Sequence, residues 1–295
     1  MNKIQVQLPG KYDKKIWIKT ENDFSYILQG ARVVYAEYKM LLKHLPAFDG
    51  EVIFPFTGNT PIVPACYATL NPDSKFTVYE RDAHDCKAMQ NSLKVFRNVK
   101  VKLATDMGSS SSENIMVVLT VLDNTDRLFS FDIIEKLNDV LPDGTEVYML
   151  IQRKRQKDFM KKLQKEFSGG NVIDKCREAI LYKCKTKTEK NKWTPREKVV
   201  EVDAIGAEIS MKTRPGVFAH GRVDTGGLAL YESVEIEAGE KVLELGCGAG
   251  LASLLLAKKF SEEKASYHLV DSDARAIECA KENIAANGFE NMTCE

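Results

Sequence analysis

The sequence is poor in the residues that mark several large functional classes. Its seven cysteines, at 66, 86, 176, 184, 247, 279 and 294, form no Cys-x-x-Cys pair, and only four histidines are present. A structural metal site is therefore not expected, and scattered thiols in odd number suit a reducing, cytoplasmic compartment. After Met1 the chain is polar and charged, without an apolar core of signal-peptide length. No uninterrupted apolar run approaches a membrane span, so no membrane partner is expected. Net charge is absent too: 42 Lys and Arg balance 42 Asp and Glu. What remains is a soluble chain of 295 residues, long enough for two domains that each bury a core.

The charge balance fails locally. Residues 151–198 hold sixteen Lys or Arg against six Asp or Glu, whereas 199–295 hold nine against seventeen. A basic segment between acidic ones could grip a polyanion through its phosphates. A solvated helix face followed by a charged linker accounts for the same counts.

One stretch organises the rest. Lys241–Gly250 reads KVLELGCGAG and runs into the apolar Leu251–Ala257. Apolar residues, a carboxylate, then glycine at every second position predict a buried strand, a tight turn and a helix start. Gly246, Gly248 and Gly250 remove side chains where the backbone must bend and a ligand can come close. The N–H groups that open the helix then face that ligand. Glu244 stands two residues before the first glycine, at the carboxyl end of its strand, where open α/β sheets bind ligands. Asp271 closes the apolar strand Tyr267–Val270, 21 residues after Gly250, a placement that suits a ribose diol. A glycine turn without a ligand is the plainer reading of the loop alone; the paired acid argues against it.

The glycine spacing separates two cofactors. The NAD fingerprint G-x-G-x-x-G would need glycine at 251, where the chain has Leu251. E-x-G-x-G-x-G with a second-strand acid resembles the class I S-adenosylmethionine-dependent methyltransferases. Upstream, Arg214–Leu230 (RPGVFAHGRVDTGGLAL) places P-G-V-F, a basic residue and D-x-G shortly before the strand. That order resembles the two-domain small-subunit ribosomal RNA guanine-N2 methyltransferases, in which a degenerate methyltransferase-like domain precedes a catalytic one. The likeness covers the whole chain as architecture, with specific motifs confined to 214–290. It implies S-adenosylmethionine as cofactor and ribosomal RNA or the small subunit as partner. It also implies cofactor contacts for Glu244, Gly246, Cys247, Gly248, Gly250 and Ser272, with Asp271 on the ribose hydroxyls. Phe218, Asp224 and Gly226 would close over the methionine end. As residues alone, Phe218 is equally a core aromatic, and Asp224 with Thr225-Gly226-Gly227 a turn.

Along the chain, strands are expected near Ile4–Leu8, Lys15–Lys19, Glu51–Phe56, Phe76–Tyr79, Val99–Leu103, Asn114–Leu122, Glu146–Ile151 and Ala179–Lys185. Helices are expected over Arg32–His44, Asp85–Phe96, Asp132–Val140 and Lys157–Phe167, with turns at Thr57–Thr60 and at Pro142-Asp143-Gly144. This alternation means a mostly parallel sheet covered on both faces. Residues 186–198 are charged, poor in aliphatics and contain Pro195, which marks a linker between domains at 1–185 and 199–295. A hairpin at Val199–Val202 and Glu208–Lys212 opens the second domain, followed by strand 241–245, helix 250–259, strand 267–270 and helix 274–286.

The halves resemble each other. With Val52 set against Val242, Gly58 falls on Gly248, and with one residue's adjustment Glu80 falls on Asp271 and Asp82 on Asp273. Phe54, Phe56 and Thr60 then replace Glu244, Gly246 and Gly250. The first copy keeps the period of the fold and fills its own pocket. In the family an Asn-Pro-Pro-Phe/Tyr motif after the fourth strand holds the acceptor amine. The Asn-Pro here, Asn71-Pro72, reads as a turn, and Thr120-Val121-Leu122-Asp123 cannot do that job. The expected fold class is α/β: two tandem Rossmann-like methyltransferase domains, the first degenerate, the second incomplete at its C-terminus. The expected function of the parent enzyme is methylation of a guanine N2 in small-subunit ribosomal RNA. Another acceptor, or a non-catalytic RNA-binding module with a vestigial loop, stays open.

Overall fold

The computed structural model describes residues 3–7, 15–19, 25–29, 36–56, 61–110, 112–121, 126–190 and 192–295. The turn expected at 57–60, residues 32–35 of the first helix, Leu8, Leu122 and Asp123 lie outside them. The chain divides into two compact units, 1–193 and 194–295.

Unit 1 begins with a three-stranded sheet, β1 (Lys3–Gln7), β2 (Lys15–Lys19) and β3 (Ser25–Gln29), in the order β1-β3-β2. The elements that follow are α1 (Ala36–His44), β4 (Glu51–Pro55), α2 (Ile62–Leu70), β5 (Lys75–Glu80), α3 (Ala83–Leu93), β6 (Val99–Leu103) and β7 (Ile115–Val121). Then come α4 (Arg127–Val140), β8 (Glu146–Gln152), α5 (Gln156–Glu166), β9 (Phe167–Lys175) and β10 (Ala179–Thr186). The sheet order is β6-β5-β4-β7-β8-β10-β9. Five parallel strands reverse direction of winding at β4, the arrangement of a Rossmann-like fold, and β10 is antiparallel to both its neighbours.

Successive residues of the central strands feed opposite layers, as a strand's two-residue period demands. Val52, Phe54, Met116, Val118, Tyr148 and Leu150 pack with α1, α2 and α3. Ile53, Val117, Leu119, Val147, Met149 and Ile151 pack with α4 and α5. The helix α2 and the strand β9 were not expected from the sequence. Residues 62–68 of α2 are all buried, so no polar face advertises a helical period. The edge strand β9 carries Gly169-Gly170 and takes its shape from pairing with β10. Residues of the expected linker are bonded to unit 1: Lys187 N donates to Asn138 Oδ1 (2.9 Å), and the Trp193 indole to Asp132 (3.1 Å). The basic segment is partly engaged as well, with Lys162 on Glu135 and Glu166, Lys183 on Glu146 and Lys190 on Asp143.

Unit 2 holds the antiparallel hairpin β11 (Lys198–Ala204) and β12 (Ala207–Thr213), then α6 (Thr225–Ser233), β13 (Lys241–Leu245), α7 (Leu251–Lys259), β14 (Ser266–Val270), α8 (Ala274–Ala286) and β15 (Met292–Cys294). The strands β13, β14 and β15 form a parallel sheet in that order. Its core draws on β12, α7, β14 and α8, with Leu254, Leu269, Cys279 and Ala280 fully buried.

The two units share local geometry where the sequence halves align. Register pairs Val52 with Phe76 and Pro55 with Tyr79; in unit 2 it pairs Val242 with Tyr267 and Leu245 with Val270. Phe56 N donates to Tyr79 O at 2.8 Å, and Gly246 N to Val270 O at 2.8 Å. Phe56 has a φ of 52° and Gly246 a φ of 75°, both left-handed. Asp82 caps α3 and Asp273 caps α8. Among the described residues no helix is long and apolar enough to cross a membrane.

Candidate cofactor site

The site sits at the carboxyl ends of β13 and β14. The chain leaves β13 through three left-handed glycines, Gly246 (φ 75°), Gly248 (56°) and Gly250 (93°), a conformation that side-chain-bearing residues enter only at a cost. They serve different ends. A Cβ on Gly246 or Gly248 would meet no atom within 4 Å, so these positions leave open space above the loop. A Cβ on Gly250 would meet Leu269 at 3.3 Å and Leu254 at 3.4 Å, so this glycine lets α7 approach β14. The loop is pinned by Gly246 N and Cys247 N on Val270 O and by Gly250 N on Cys247 O.

Two carboxylates frame it. Asp271 Oδ2 accepts from Gly248 N at 2.8 Å and Oδ1 from Asp273 N at 2.9 Å, so its side chain is held against the loop. Glu244 accepts from Ser253 N (3.2 Å) and from the Ser253 hydroxyl. Burial pushes the Glu244 carboxyl above its ordinary value, and the Asp271 charge adds to this, while the two bonds from Ser253 work the other way. Burial also pushes the Cys247 thiol up to about 12, which keeps it protonated and unreactive.

The third wall comes from upstream. Between β12 and α6 the chain makes successive turns, with Val217 N on Arg214 O, His220 N on Val217 O and Arg222 N on Ala219 O. Asp224 caps α6 by accepting from Gly227 N at 2.7 Å. The Asp-Thr-Gly-Gly stretch is thus the start of a helix that its glycines hid from the sequence reading. Phe218 is not a core aromatic: it is 72% exposed, with the Arg222 guanidinium 5.9 Å from its ring centre.

These walls enclose a cavity of about 470 Å³, within the range of small-molecule sites. Of the residues expected to bind a cofactor, Phe218, Asp224, Gly226, Glu244, Gly246, Cys247, Gly248 and Asp271 line it. Gly250 and Ser272 do not; Gly250 acts through packing, as its contacts show. The lining also includes Met211, Leu230, Val242 and Ser253, which the sequence reading missed. Ser253 had a readable signal: it is the polar member of an otherwise apolar helix start, eight residues past the strand. The apolar three had none, since topology alone brings β12, α6 and β13 together.

Glu244 supplies a test of the electrostatics. A carboxyl whose folded pKa is raised contributes stability fully below its unfolded value, and that contribution is lost as pH rises through the folded value. Glu244→Gln is therefore expected to stabilise unit 2 at pH 7, with about 4–8 °C in melting temperature for each kcal/mol removed. The difference from wild type should vanish near pH 4, as followed by circular dichroism melts. A difference constant from pH 4 to 7 would show that the charge is not the cause.

Residues 208–295 match the methyltransferase small domain family. The chain is 26% identical over 201 residues to ribosomal RNA small subunit methyltransferase C of Colwellia psychrerythraea, covering 65% of this chain and 54% of that protein. The protein of the same name from Stutzerimonas stutzeri is 40% identical over 82 residues, 28% of this chain and 24% of that one. The chain spans about half the length of the first curated relatives it matches. A T. thermophilus 16S rRNA N2 methyltransferase, solved with AdoMet and guanosine, superposes with a TM-score of 0.71 at 19% identity, over 96% of this chain and 74% of that one. At that identity the superposition speaks to fold. A glycine loop between two acids, the family match over that loop and the fold-level superposition agree: residues 208–295 carry a methyltransferase small domain, and the chain resembles the small-subunit ribosomal RNA methyltransferases.

Proposed function

We propose that the chain binds S-adenosylmethionine in the cavity of unit 2 and belongs to a protein that methylates the N2 of a guanine in small-subunit ribosomal RNA. The observation that carries the cofactor half is the placement of Glu244 and Asp271 around open space at Gly246 and Gly248. Asp271 offers acceptor lone pairs for a ribose diol while its bond to Gly248 N keeps it in place. The first N–H groups of α7 present partial positive charge to the same space. Phe218 and the capped start of α6 line the same cavity. When bound, the cofactor supplies an electrophilic methyl on a sulfonium, and the protein's share of the work is alignment.

The RNA half rests on likeness to the relatives named above. In this reading unit 1 is a degenerate copy of the same domain that helps grip RNA with its basic segment. Its support is the shared register, the shared N–H bond at Phe56 and Gly246, and the shared Asp caps. Phe56 fills the place where unit 2 keeps a glycine, packed edge-on against Phe129 with ring centres 5.2 Å apart.

Calorimetric titration of S-adenosylmethionine, with NAD in parallel, tests the reading. Saturable binding of the methyl donor alone is expected. Binding of NAD, or of neither, would overturn it.

A further inference from the structure

The helix α8 begins two residues past Asp271, at its Asp273 cap, and runs beside β12. Its inward face carries polar groups that grip the chain leading to Phe218 and Asp224. Arg275, fully buried, donates to Pro215 O at 2.7 Å, and Arg214 pairs with Glu278. Further along, Asn287 bonds both backbone groups of Ser210. Between them lies Asn283, 1% exposed. Its Oδ1 accepts from Lys212 N at 2.7 Å, and its Nδ2 donates to Lys212 O and to Ala249 O, each at 2.9 Å.

The last of these bonds leaves the hairpin and reaches the glycine loop. Ala249 stands between Gly248 and Gly250 and is itself buried. Its carbonyl precedes the Gly250 cap, whose own carbonyl takes the first helical bond, from Leu254 N. Ser253 N, one residue earlier, donates to Glu244. A buried carbonyl needs a donor, and Asn283 provides one.

We infer that Asn283 is a positioning residue that ties the glycine loop to the end of β12, the strand that brings Met211 to the cofactor cavity and leads into the turns before Phe218, so that one side chain sets the loop against its neighbouring wall. The inference deepens the cofactor reading and rests on it for its ligand. A carboxamide is the group the arrangement needs, because it places two donors and an acceptor at one planar end. Aspartate would aim an acceptor at two carbonyls. An alkyl side chain would leave the half-buried Lys212 N and O and the buried Ala249 O without this partner.

Asn287 provides the internal control, since it makes the same paired bonds to the hairpin at Ser210 and none of its bonds reaches the loop. The experiment compares Asn283→Ala with Asn287→Ala by thermal melting, by calorimetric titration of S-adenosylmethionine, and by amide exchange over residues 246–251. Asn283→Ala is expected to weaken binding by about tenfold or more and to speed exchange in the loop. Asn287→Ala should lower the melting temperature comparably yet leave affinity and loop exchange within about twofold, a change too small to count as lost binding. Equal behaviour of the two variants in affinity and exchange would overturn the inference and reduce Asn283 to a stability residue. Failure of the wild-type chain to bind the donor would sink the cofactor reading, and loop exchange would then decide the inference alone. Should Asn283→Ala not fold, Asn283→Gln keeps the amide but overshoots by one methylene and is read in the same way.

Discussion

Replacing Asp271 by alanine is expected to remove measurable binding of S-adenosylmethionine. The side chain does three things at once. In the proposed reading it accepts from a ribose diol; in the structure it fixes the loop through Gly248 N and orders the turn into α8 through Asp273 N. Charge-assisted bonds of this kind are about twice as strong as neutral ones. Losing them together corresponds to about 3 kcal/mol or more, a fall in affinity of at least about a hundredfold. Asp271→Asn separates the parts. It keeps shape and one acceptor oxygen, but its amide nitrogen must face either Gly248 N–H or Asp273 N–H. It is expected to lie between wild type and alanine in a titration, with circular dichroism confirming that both variants fold. Full affinity in the alanine variant would mean that the ribose is held elsewhere.

The second large effect is on stability and lies in unit 1. Phe56 is buried, its ring packed against Phe129 and Tyr79, yet its backbone is left-handed at φ 52°. Truncation of a buried phenylalanine to alanine costs about 3–5 kcal/mol. For a unit of this size that is a fall of roughly 10 °C in melting temperature. The unusual part is the order of the variants. Glycine costs about 0.5–1 kcal/mol more than alanine inside ordinary structure, but at a left-handed position it relieves strain of about 1–2 kcal/mol. Phe56→Gly is therefore expected to melt above Phe56→Ala, although it has lost one more carbon. Calorimetry that found the glycine variant less stable would show that the turn at Phe56 carries no strain.

The parts of the molecule that were legible before the structure are those in which local chemistry and tertiary position agree. Strand 241–245 and helix 274–286 stand where they were expected, because three glycines mark the turn after the first and Asp273 and Asn287-Gly288 bracket the second. The two acids of the candidate site were legible for the same reason. Glu244 stands one residue before the end of its strand and Asp271 one residue after its own, and strand ends are where a parallel sheet presents its ligands.

What stayed hidden had conflicting signals. The helix α6 carries two glycines in its first turn, and α2 carries Pro64 with no polar face. Met211 and Leu230 reach the cavity from elements far from the loop in sequence, and an apolar residue says nothing about which cavity it will line. Asn283 could have been found. It falls in step with Ala276, Ile277, Ala280 and Ile284 on the apolar side of its helix, and an amide in such a register calls for a buried partner.

The sheet of unit 1 has a bearing on how the protein is made. The strand β10 lies between β8 and β9, and among the described residues β9 has no other neighbour in that sheet. During synthesis β9 leaves the ribosome first and must wait, unpaired, until the chain has advanced through Thr186. Its Val172 and Ile173 are exposed even when paired, so in that interval they offer a sticky edge to other nascent chains. The interval is short, since only a tight connection at Cys176–Glu178 separates the two strands. A pause in translation at that connection would lengthen it, and misfolding would be the cost.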